Sequence, residues 1–444
     1  MKTLIISWLS VLQLCFLSKV CYSENVLNVK DFGAKGDGVT DDYNSVRLVV
    51  DSINKLRGGE IVFPEGKYFL APYHTRDTLV QDIKFFYCDG LKITGHKATI
   101  SVNGNFHRTA DRIKGDHAFS MTNSIMPLAF YFCRNVQING LEINGNVDKM
   151  TKDANVVEND THLVELFDCQ NVEINDVYLH HGQSDGIYII GVSSSNITIK
   201  NSISSNNARQ GMSVIGLSKG YFFNCKFINT GFTDGKYGKH NPSDGVDIEP
   251  RNKVTGLTFE KCSFINNKGG QFICTSASRT SGIVLKKCRI ENISSKRDSQ
   301  LILYADSVII DECYIDCGRG NLYATWGKGA SDVEIKNSTI KSFSCGIVAS
   351  ANDISNIKVN IHDNLLTCGS DTVRNYFPNL RLPNLKFSNN KIVFDSHIVL
   401  TRDCFSSMVK GNGPITNNTF NAIHPEFKPS VLYKAIPASS VKTN

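Results

Sequence analysis

The feature that most constrains this chain is a short motif, one small or polar residue followed by apolar, any and apolar residues, that recurs along much of its length. Successive motifs stand about 25 residues apart, except for two longer intervals of 36 residues. The motif begins at Asn135, Asn171, Asn196, Gly220, Gly256, Gly282, Ser307, Asp332, Asn356 and Asn384. Such a period indicates stacked units, each of which buries its apolar residues only against its neighbours.

Within each unit, apolar and polar residues alternate as they do in a half-buried strand, and Asn, Gly, Ser and Asp stand where the chain must turn. A useful helix does not fit inside the unit, and a propeller blade needs roughly 40–45 residues. We therefore predict an all-β parallel β-helix, a solenoid in which each turn hydrogen-bonds to the next.

The ends of the chain depart from the repeat. Thr40-Asp41-Asp42 precedes apolar residues at helical spacing, and Gly58-Gly59 follows them, which predicts a short N-terminal capping helix with an acidic N-cap. The predicted organisation is a signal peptide over 1–23, an N-terminal cap over 24–80, the coil over 81–400, and a C-terminal cap and tail over 401–444.

The first residues are typical of a secretory signal, because Lys2 precedes an apolar run and small residues Cys21 and Ser23 end it. This predicts a secreted or periplasmic protein; an uncleaved anchor and a lipidated Cys21 are lower-ranked alternatives. No later stretch reaches the ~20 apolar residues of a spanning helix, so we expect no membrane span. The net charge of +6 is spread without single-sign blocks, which argues against a nucleic-acid partner and is compatible with an acidic polymer.

Of the 14 cysteines, two lie in the predicted signal. An even number of cysteines in an exported chain usually indicates disulfides. Here, however, Cys225, Cys262, Cys288 and Cys313 each stand just before a short apolar strand, one in each repeat. We predict buried thiols stacked along the core, and the absence of Cys-x-x-Cys pairs gives no indication of a zinc or redox site.

The two long intervals contain inserts at roughly 145–162 and 229–243, and a third irregular stretch covers 102–125. A solenoid accepts inserts only as loops that leave one corner. Loops on one corner would wall a long groove, the shape that an extended polymer needs.

Three successive turns between the inserts align as 184–189, 209–214 and 243–249. Their inward residues are Ile187, Met212 and Val246, and their outward column is Tyr188, Ser213 and Asp247, with Glu249 two residues further along the same face. Adjacent turns lie ~4.8 Å apart, which predicts roughly 9–10 Å between the backbones of Asp185 and Asp244. Inverting glycosidases separate their carboxyl groups by ~6.5–9.5 Å and retaining ones by ~5–5.5 Å.

Each candidate also has a plainer interpretation. Asp185 and Asp244 each precede glycine, a common turn pair in which Asp only binds backbone. Asp247 and Glu249 repel each other unless solvent, a cation or a shared proton intervenes.

Other candidates could bind the substrate. Arg209 and Arg251 are either structural ion-pair partners or clamps for a sugar carboxylate, and His181, Tyr188 and His240 could reach the groove. Calcium held by the carboxylates is an open alternative.

The stretch Val29-Lys30-Asp31-Phe32-Gly33-Ala34-Lys35-Gly36-Asp37-Gly38-Val39-Thr40-Asp41-Asp42, followed by Gly59-Glu60-Ile61-Val62-Phe63-Pro64-Glu65-Gly66, resembles the opening of the pectate-lyase-like superfamily. That superfamily includes polygalacturonases, rhamnogalacturonases and polysaccharide depolymerases. The resemblance implies a right-handed parallel β-helix with the substrate in a groove along one face.

Near the candidate site, single turns of this sequence resemble elements of known families. Ser184-Asp185-Gly186-Ile187 is similar to the first polygalacturonase element, whose Gly-His-Gly element is absent here. Gly245-Val246-Asp247-Ile248-Glu249-Pro250 is distantly similar to a turn of mannuronan epimerases, without its histidine.

The leading hypothesis is a secreted enzyme that hydrolyses an acidic or pectin-like polysaccharide. Asp185 with Asp244 or Asp247 would form the acid–base pair, and Glu249 would tune the second member. A lyase or C5-epimerase acting on uronic acids is the second hypothesis. A non-catalytic glycan-binding or surface protein on the same scaffold is the third.

Overall fold

A computed structural model describes residues 25–71, 82–105, 107–108, 126–152, 161–233, 235–238, 241–291, 301–317, 322–323, 332–341, 357–369, 380–381, 384–395, 409–410 and 414–422. The predicted signal peptide lies outside these residues. In the part of the chain that the structure describes, no helix combines the length and apolar character needed to cross a membrane.

The chain winds into a parallel β-helix, because strands about one repeat apart pair in parallel and in register. Each full turn contributes one strand to each of three rows. Row 1 contains Val26–Asn28, Gly59–Phe63, Leu91–Val102, Arg134–Asn144, Gln170–Asn175, Ser195–Lys200, Leu217–Phe223, Val254–Glu260, Thr280–Lys286, Ser307–Asp311, Asp332–Lys336, Lys358–His362, Asn384–Ser388 and Ile415–Thr416. The all-β, parallel β-helical prediction is confirmed.

Row 2 joins row 1 in one sheet, and two long strands, Leu91–Val102 and Arg134–Asn144, run through both rows. Its other strands are Asp37–Asp41, Gly66–Leu70, Tyr178–His180, Ile203–Ser205, Lys226–Ile228, Ser263–Ile265, Arg289–Glu291, Tyr314–Asp316, Thr339–Lys341, Leu365–Gly369, Lys391–Asp395 and Thr419–Ala422. Row 3 is a separate sheet of Lys84–Phe86, Leu128–Tyr131, Val164–Phe167, Ile187–Ile190, Met212–Val214, Val246–Ile248, Phe272–Cys274, Leu301–Leu303 and Leu322–Tyr323. Row 3 carries the candidate site.

The core is filled by inward side chains that stack from turn to turn. Phe222 and Phe259 are fully buried, and their rings stack with centroids 4.4 Å apart. Alternation along each strand gives every inward residue a partner in the turn above and the turn below. Burial of these columns is the main stabilising contribution to the coil.

One motif is out of register with the repeat. The apolar positions of the motif beginning at Gly220 are Tyr221 and Phe223, whereas the structure buries Gly220 and Phe222. A Cβ at Gly220 would meet the side chain of Leu257 at 2.8 Å, so a larger residue at this inward position would require neighbouring side chains to move. Tyr221 faces outward, where its hydroxyl donates to a glutamate of the next turn.

The predicted thiol stack is present. Cys225, Cys262, Cys288 and Cys313 are buried and free. Each thiol points back along the coil; for example, the Sγ of Cys262 donates to the carbonyl of Phe222 at 3.3 Å. These cysteines behave as small apolar residues with a weak donor, and they fill one core column.

The predicted capping helix runs over Tyr43–Leu56 and buries an apolar stripe that includes Val49 and Ile53. Its cap differs from the expectation. The N-cap residue Asp42 makes no side-chain cap and instead accepts hydrogen bonds from the amides of residues 35 and 36. The amide of Tyr43 bonds to Asp41 instead, and Arg57, in the left-handed conformation (φ 63°), ends the helix before the glycines.

The coil continues past residue 400, where the sequence periodicity fades. Lys391–Asp395 pairs in parallel with Thr419–Ala422. The boundary set at residue 400 therefore cuts through a turn of the coil.

All three inserts leave the coil at the same corner, between row 2 and row 3. His107–Arg108 pairs in parallel with Thr151–Lys152, which joins two of them. The ammonium of Lys152 lies 5.5 Å from the ring centroid of Tyr237, which joins the third. The inserts therefore contact one another beside the start of row 3.

Candidate active site

Two columns of polar residues meet at the start of row 3. The first, which we call the corner column, occupies the position two residues before each row 3 strand. It consists of His162, Asp185, Gln210, Asp244 and Gly270. The amide of Gly186 bonds to the carbonyl of Gln210, and the amide of Gly211 bonds to that of Asp244, so Asp185 and Asp244 stand two turns apart as predicted.

The second column, which we call the face column, lies on the outward face of row 3. Its members in successive turns are Glu165, Tyr188, Ser213, Asp247 and Ile273. The predicted alignment of Tyr188, Ser213 and Asp247 is therefore present. Alternation along the strands places these side chains opposite the core residues Ile187, Met212 and Val246.

Asp185 is completely buried, and its carboxylate is surrounded by donors. Nη1 of Arg209 donates to both oxygens at 3.1 and 2.9 Å, and the hydroxyl of Ser213 donates at 2.8 Å. The amide of Gln210 adds a bond of 3.1 Å, and Nδ1 of His162 lies 3.4 Å away. This pairing compensates the cost of burying the charge and leaves Asp185 few lone pairs for other chemistry.

Gln210 connects the two other aspartates. Its Oε1 accepts a hydrogen bond from the amide of Asp244 at 2.8 Å, and its Nε2 donates to Oδ2 of Asp247 at 2.7 Å. Gln210 is itself fully buried, so the oxygen and the nitrogen of its side-chain amide both need these partners. One side chain therefore fixes the backbone of one candidate acid and the carboxyl group of another.

Asp247 is only 5% exposed. Burial, followed by the neighbouring charges of Asp244 and Glu249, raises the pKa of its carboxyl group well above the usual value. Oδ2 is held by Gln210, whereas Oδ1 has no hydrogen-bond partner among the described residues. A carboxyl group in this setting keeps its proton to higher pH than a solvated aspartate does.

The pKa of the Asp244 carboxyl group is also raised, but by less than that of Asp247. Burial raises the pKa of Asp244 from 3.8 to about 6, against the opposing effects of the Gly270 amide and the Arg209 charge. Its carboxylate accepts a short hydrogen bond from the Gly270 amide. Asp185, Asp244 and Asp247 thus share one corner of the molecule, each with different hydrogen-bond partners.

Glu249 and Arg251 follow the strand Val246–Ile248, and both are exposed. The amide of Glu249 bonds to the carbonyl of Val214, which keeps it in register with the preceding turn. Glu249 is the only exposed carboxylate among the four candidate acids. Arg209, at 12% side-chain exposure, is largely committed to Asp185.

The histidines have other partners than those expected. Nε2 of His181 lies 3.2 Å from the carboxylate of Asp148, in the first insert, and its Nδ1 faces the adjacent His180. Burial lowers the pKa of His180. His240 lies outside the described residues.

Sequence reasoning missed His162 and Gln210. The imidazole of His162 stacks on the ring of Tyr188 with centroids 4.1 Å apart and planes 3° from parallel. Extending the three-turn alignment back by one turn would have placed His162 and Glu165 in line with Asp185 and Tyr188. Gln210 carried no signal of its own, because a neutral amide beside Gly211 is typical of a turn.

Among the described residues, no group of three His, Cys, Asp or Glu side chains is arranged to hold a metal ion. Calcium takes 6–8 oxygen ligands. Asp244 and Asp247 each have an oxygen committed to protein donors, so these residues fit calcium poorly.

Comparison with known proteins agrees with the fold. Residues 139–295 match the family model described as "Right handed beta helix region". The match spans about a third of the chain, and together with the parallel strand pairing it agrees with the right-handed parallel β-helix that the resemblance to the pectate-lyase-like superfamily implies.

The chain is similar to two curated relatives and one solved structure with different printed names. The chain is 51% identical over 41 residues to Alginate lyase 7 of Azotobacter vinelandii, which covers 9% of this chain and 5% of the relative. It is 32% identical over 91 residues to Plasmin and fibronectin-binding protein A of Streptococcus pneumoniae, which covers 19% and 12%. These matches span a small part of either relative. The solved A-module of the Azotobacter vinelandii mannuronan C-5 epimerase AlgE4 is 15% identical, with 89% of this chain and 94% of that chain covered and a TM-score of 0.46.

Proposed function

We propose that this protein is an exported enzyme that hydrolyses glycosidic bonds of an acidic polysaccharide, with Asp247 as general acid and Glu249 as base. The observation that carries the proposal is the environment of Asp247. Its pKa is raised by burial and by neighbouring acids, one of its oxygens is fixed by Gln210, and the other has no partner among the described residues. Export rests on the N-terminal apolar run alone.

The two carboxyl groups have unequal environments, which is the usual requirement for acid–base work. Protonated Asp247 would donate its proton to the leaving glycosidic oxygen as the bond to the anomeric carbon breaks. Exposed Glu249 would take a proton from the attacking water. Alternate residues of a strand lie roughly 6.6 Å apart along the backbone, which is compatible with the ~6.5–9.5 Å carboxyl separation of an inverting mechanism.

We assign Asp185 a positioning role rather than the acid–base role that the turn alignment suggested. Its oxygens are occupied by Arg209, Ser213 and the Gln210 amide, so it has little capacity to activate water. Its contribution is to hold Arg209 and the backbone of Gln210, and Gln210 in turn holds Asp247. Asp244 fixes the same bridge through its amide.

A second candidate function is elimination or C5 epimerisation on uronic acids. The name Alginate lyase 7 and the AlgE epimerase names among the relatives favour it. The proton of Asp247 would then neutralise the C6 carboxylate of the sugar while Tyr188 or His181 takes the C5 proton. Elimination would then break the bond from C4 to the leaving oxygen, whereas epimerisation would return a proton to the opposite face of C5.

A third candidate is a glycan-binding or adhesive protein without a reaction. Burial of Asp185, Asp244 and Asp247 below 6% exposure favours it, because a sugar reaches Asp247 only after local opening. The name Plasmin and fibronectin-binding protein A also belongs to a binding protein.

One assay separates the three functions. The purified chain is incubated with polygalacturonate, alginate and a neutral glucan while reducing ends, ultraviolet absorbance of unsaturated uronates and solvent exchange at C5 are followed. Reducing ends alone support hydrolysis, whereas reducing ends with unsaturation support a lyase. C5 exchange alone supports an epimerase, and binding without any of these signals supports the third function.

The variants are chosen for matched chemistry. Asp247→Asn and Glu249→Gln should each lower kcat by about 10²–10⁴-fold, the usual contribution of a general acid or base. The controls Asp332→Asn and Glu65→Gln change exposed carboxylates elsewhere and should leave kcat unchanged. Hydrolysis that persists at the wild-type rate in both test variants would refute the assignment.

A further inference from the structure

A cluster of aromatic side chains, which we call the aromatic platform, lies where the first three strands of row 3 end. It consists of Phe86, Tyr87, Tyr131, Phe132 and Phe167. Phe86, Tyr87 and Phe132 are 39%, 57% and 40% exposed. Soluble proteins seldom expose several large apolar side chains side by side, and such a patch marks a site of interaction. The proposed hydrolysis uses none of these residues.

The rings form two stacks that run from turn to turn. Phe86, Tyr131 and Phe167 stack with centroids 5.3 and 5.6 Å apart, and Tyr87 stacks on Phe132 at 5.1 Å. Phe132 meets Phe167 edge to face at 5.4 Å, which joins the two stacks. Atoms of rings in contact approach to about 3.5–4.0 Å, so stacked rings at these centroid distances are offset. The offset leaves part of each ring face uncovered by the neighbouring ring.

The backbone at two of these residues is unusual. Tyr87 and Phe132 have φ of 53° and 57°, and among the described residues they are the only phenylalanine or tyrosine residues with a positive φ. The positions in register with them in the next two turns are Asp168 and Gly191, which adopt the left-handed region more readily. Strained backbone of this kind is concentrated at functional sites. The two exposed rings therefore indicate a role in binding rather than in folding.

The platform leads to the candidate active site along one outward column of row 3. In register, this column contains Phe86, Tyr131, Phe167, Ile190, Ile215 and Glu249. Phe167 and Glu249 lie three turns apart, which is roughly 14 Å at ~4.8 Å per turn. The spacing of the turns is close to the length of one sugar residue in an extended glycan. A glycan that reaches Glu249 and follows the coil therefore arrives at the platform within a few sugar residues.

We propose that the aromatic platform binds sugar residues of the polysaccharide at a distance from the bond that is cleaved. The inference rests on the proposed function for the class of ligand. A sugar ring has an apolar C–H face, which packs on aromatic rings, and a rim of hydroxyl groups, which needs polar partners. Ligand sites for such molecules combine apolar walls with a few placed polar groups.

Charged groups of both signs border the platform and would serve the polar rim. The guanidinium of Arg57 lies 5.6 Å from the ring centroid of Tyr87, and its Nη1 donates to the carbonyl of Phe86 at 3.1 Å. That acceptor is neutral, so this contact leaves the positive charge of Arg57 available to a sugar carboxylate or hydroxyl. On the other side, Asp168 follows Phe132 in register and offers a carboxylate to sugar hydroxyls.

The left-handed backbone supplies test substitutions that preserve the fold. Tyr87→Asn and Phe132→Asn remove the two most exposed rings and install a residue that tolerates this conformation better. The double variant should unfold at a temperature close to that of the wild type, because relief of backbone strain offsets the lost ring stacking. The matched control Tyr178→Thr removes a 38% exposed ring from a row 2 strand, where a β-branched residue fits.

The experiment measures binding separately from turnover. Each variant is made in the full chain carrying Asp247→Asn, so that cleavage is slow, and its retardation is measured in native gels containing polygalacturonate, alginate or a neutral glucan. We expect at least one polymer to retard this parent chain. The double variant should bind that polymer at least tenfold more weakly, and the control should bind it like the parent.

Equal polymer affinity in the parent and the double variant would overturn the proposal, and so would a parent chain that none of the three polymers retards. A wild-type dimer that dissociates in the double variant, followed by analytical ultracentrifugation, would overturn it in favour of a contact between two copies of the chain. Weakened binding in the double variant, together with a wild type that cleaves none of the polymers, would support the platform and refute only the proposed hydrolysis. Circular dichroism checks that each variant is folded.

Discussion

The corner column and the asparagine ladder at the C-terminal end occupy comparable corners of the same coil but are built differently. In the ladder, Asn364, Asn390 and Asn418 stack in successive turns, and each Nδ2 bonds to a carbonyl of the preceding turn at 2.9 Å. In the corner column, no residue type recurs in adjacent turns, and charged groups replace neutral amides. The asparagine ladder repeats one residue type from turn to turn, whereas the corner column does not.

The difference has an electrostatic cause. Neutral amides at ~4.8 Å spacing satisfy one another in an indefinite series, because each has both donors and acceptors. Carboxylates that stand close together repel, so each needs its own partner: Arg209 for Asp185, the Gly270 amide for Asp244, and the side-chain amide of Gln210 for Asp247. A site with several acids can therefore exist only where the repeat is broken.

The largest expected effect concerns the buried ion pair. Arg209→Met should lower the free energy of unfolding by about 3–5 kcal/mol, because it leaves the Asp185 charge buried without its cation. Urea unfolding followed by circular dichroism measures this. The control Lys287→Met removes an exposed partner of Glu312 and should cost about 0–1 kcal/mol. Similar losses of unfolding free energy in both variants would show that the buried ion pair contributes no more to stability than the exposed one.

The second effect is a pH dependence. The pKa of Asp244 is about 6 in the folded state against 3.8 in the reference state, so the folded state binds more protons between these values. Its contribution to stability is complete at low pH and is lost as pH rises through about 4 to 6, by roughly 2–3 kcal/mol. Asp244→Asn should lack this fall relative to the wild type when urea midpoints are compared from pH 4 to 7. A wild-type curve that rises over this range relative to Asp244→Asn would contradict the assignment.

The smallest effect concerns the ladder. Asn390→Ala leaves the carbonyl of Ile361 and the amide of Asn364 without their partner, and it should cost about 1–3 kcal/mol. Cys262→Ala, in the thiol stack, removes a weak donor and one buried sulfur atom and should cost about 1 kcal/mol. Thermal unfolding of the two variants ranks them. A larger loss for the cysteine would mean that packing, rather than hydrogen bonding, holds these columns.

The sequence predicts the coil well because the apolar period is repeated many times, and an error in one turn is local. The misplaced register at Gly220 shows the limit, since glycine reads as a turn residue although here it occupies an inward position. The outward column of Tyr188, Ser213 and Asp247 followed from alternation alone. The hydrogen-bond partners of the site residues could not be predicted in this way. Whether Arg209 faces Asp185 or a substrate depends on side-chain geometry in three dimensions.

The inserts that leave the shared corner contribute little to the strand pairing of the three rows. Among the described residues, Val102 alone of these segments pairs within the three rows, so most of their sequence can diverge while the rows keep their strand pairing. Grafting the corresponding segments between proteins of this architecture should transfer ligand preference and leave the unfolding temperature close to that of the recipient. A β-helix of this kind can acquire new ligand specificities through changes in its inserts alone.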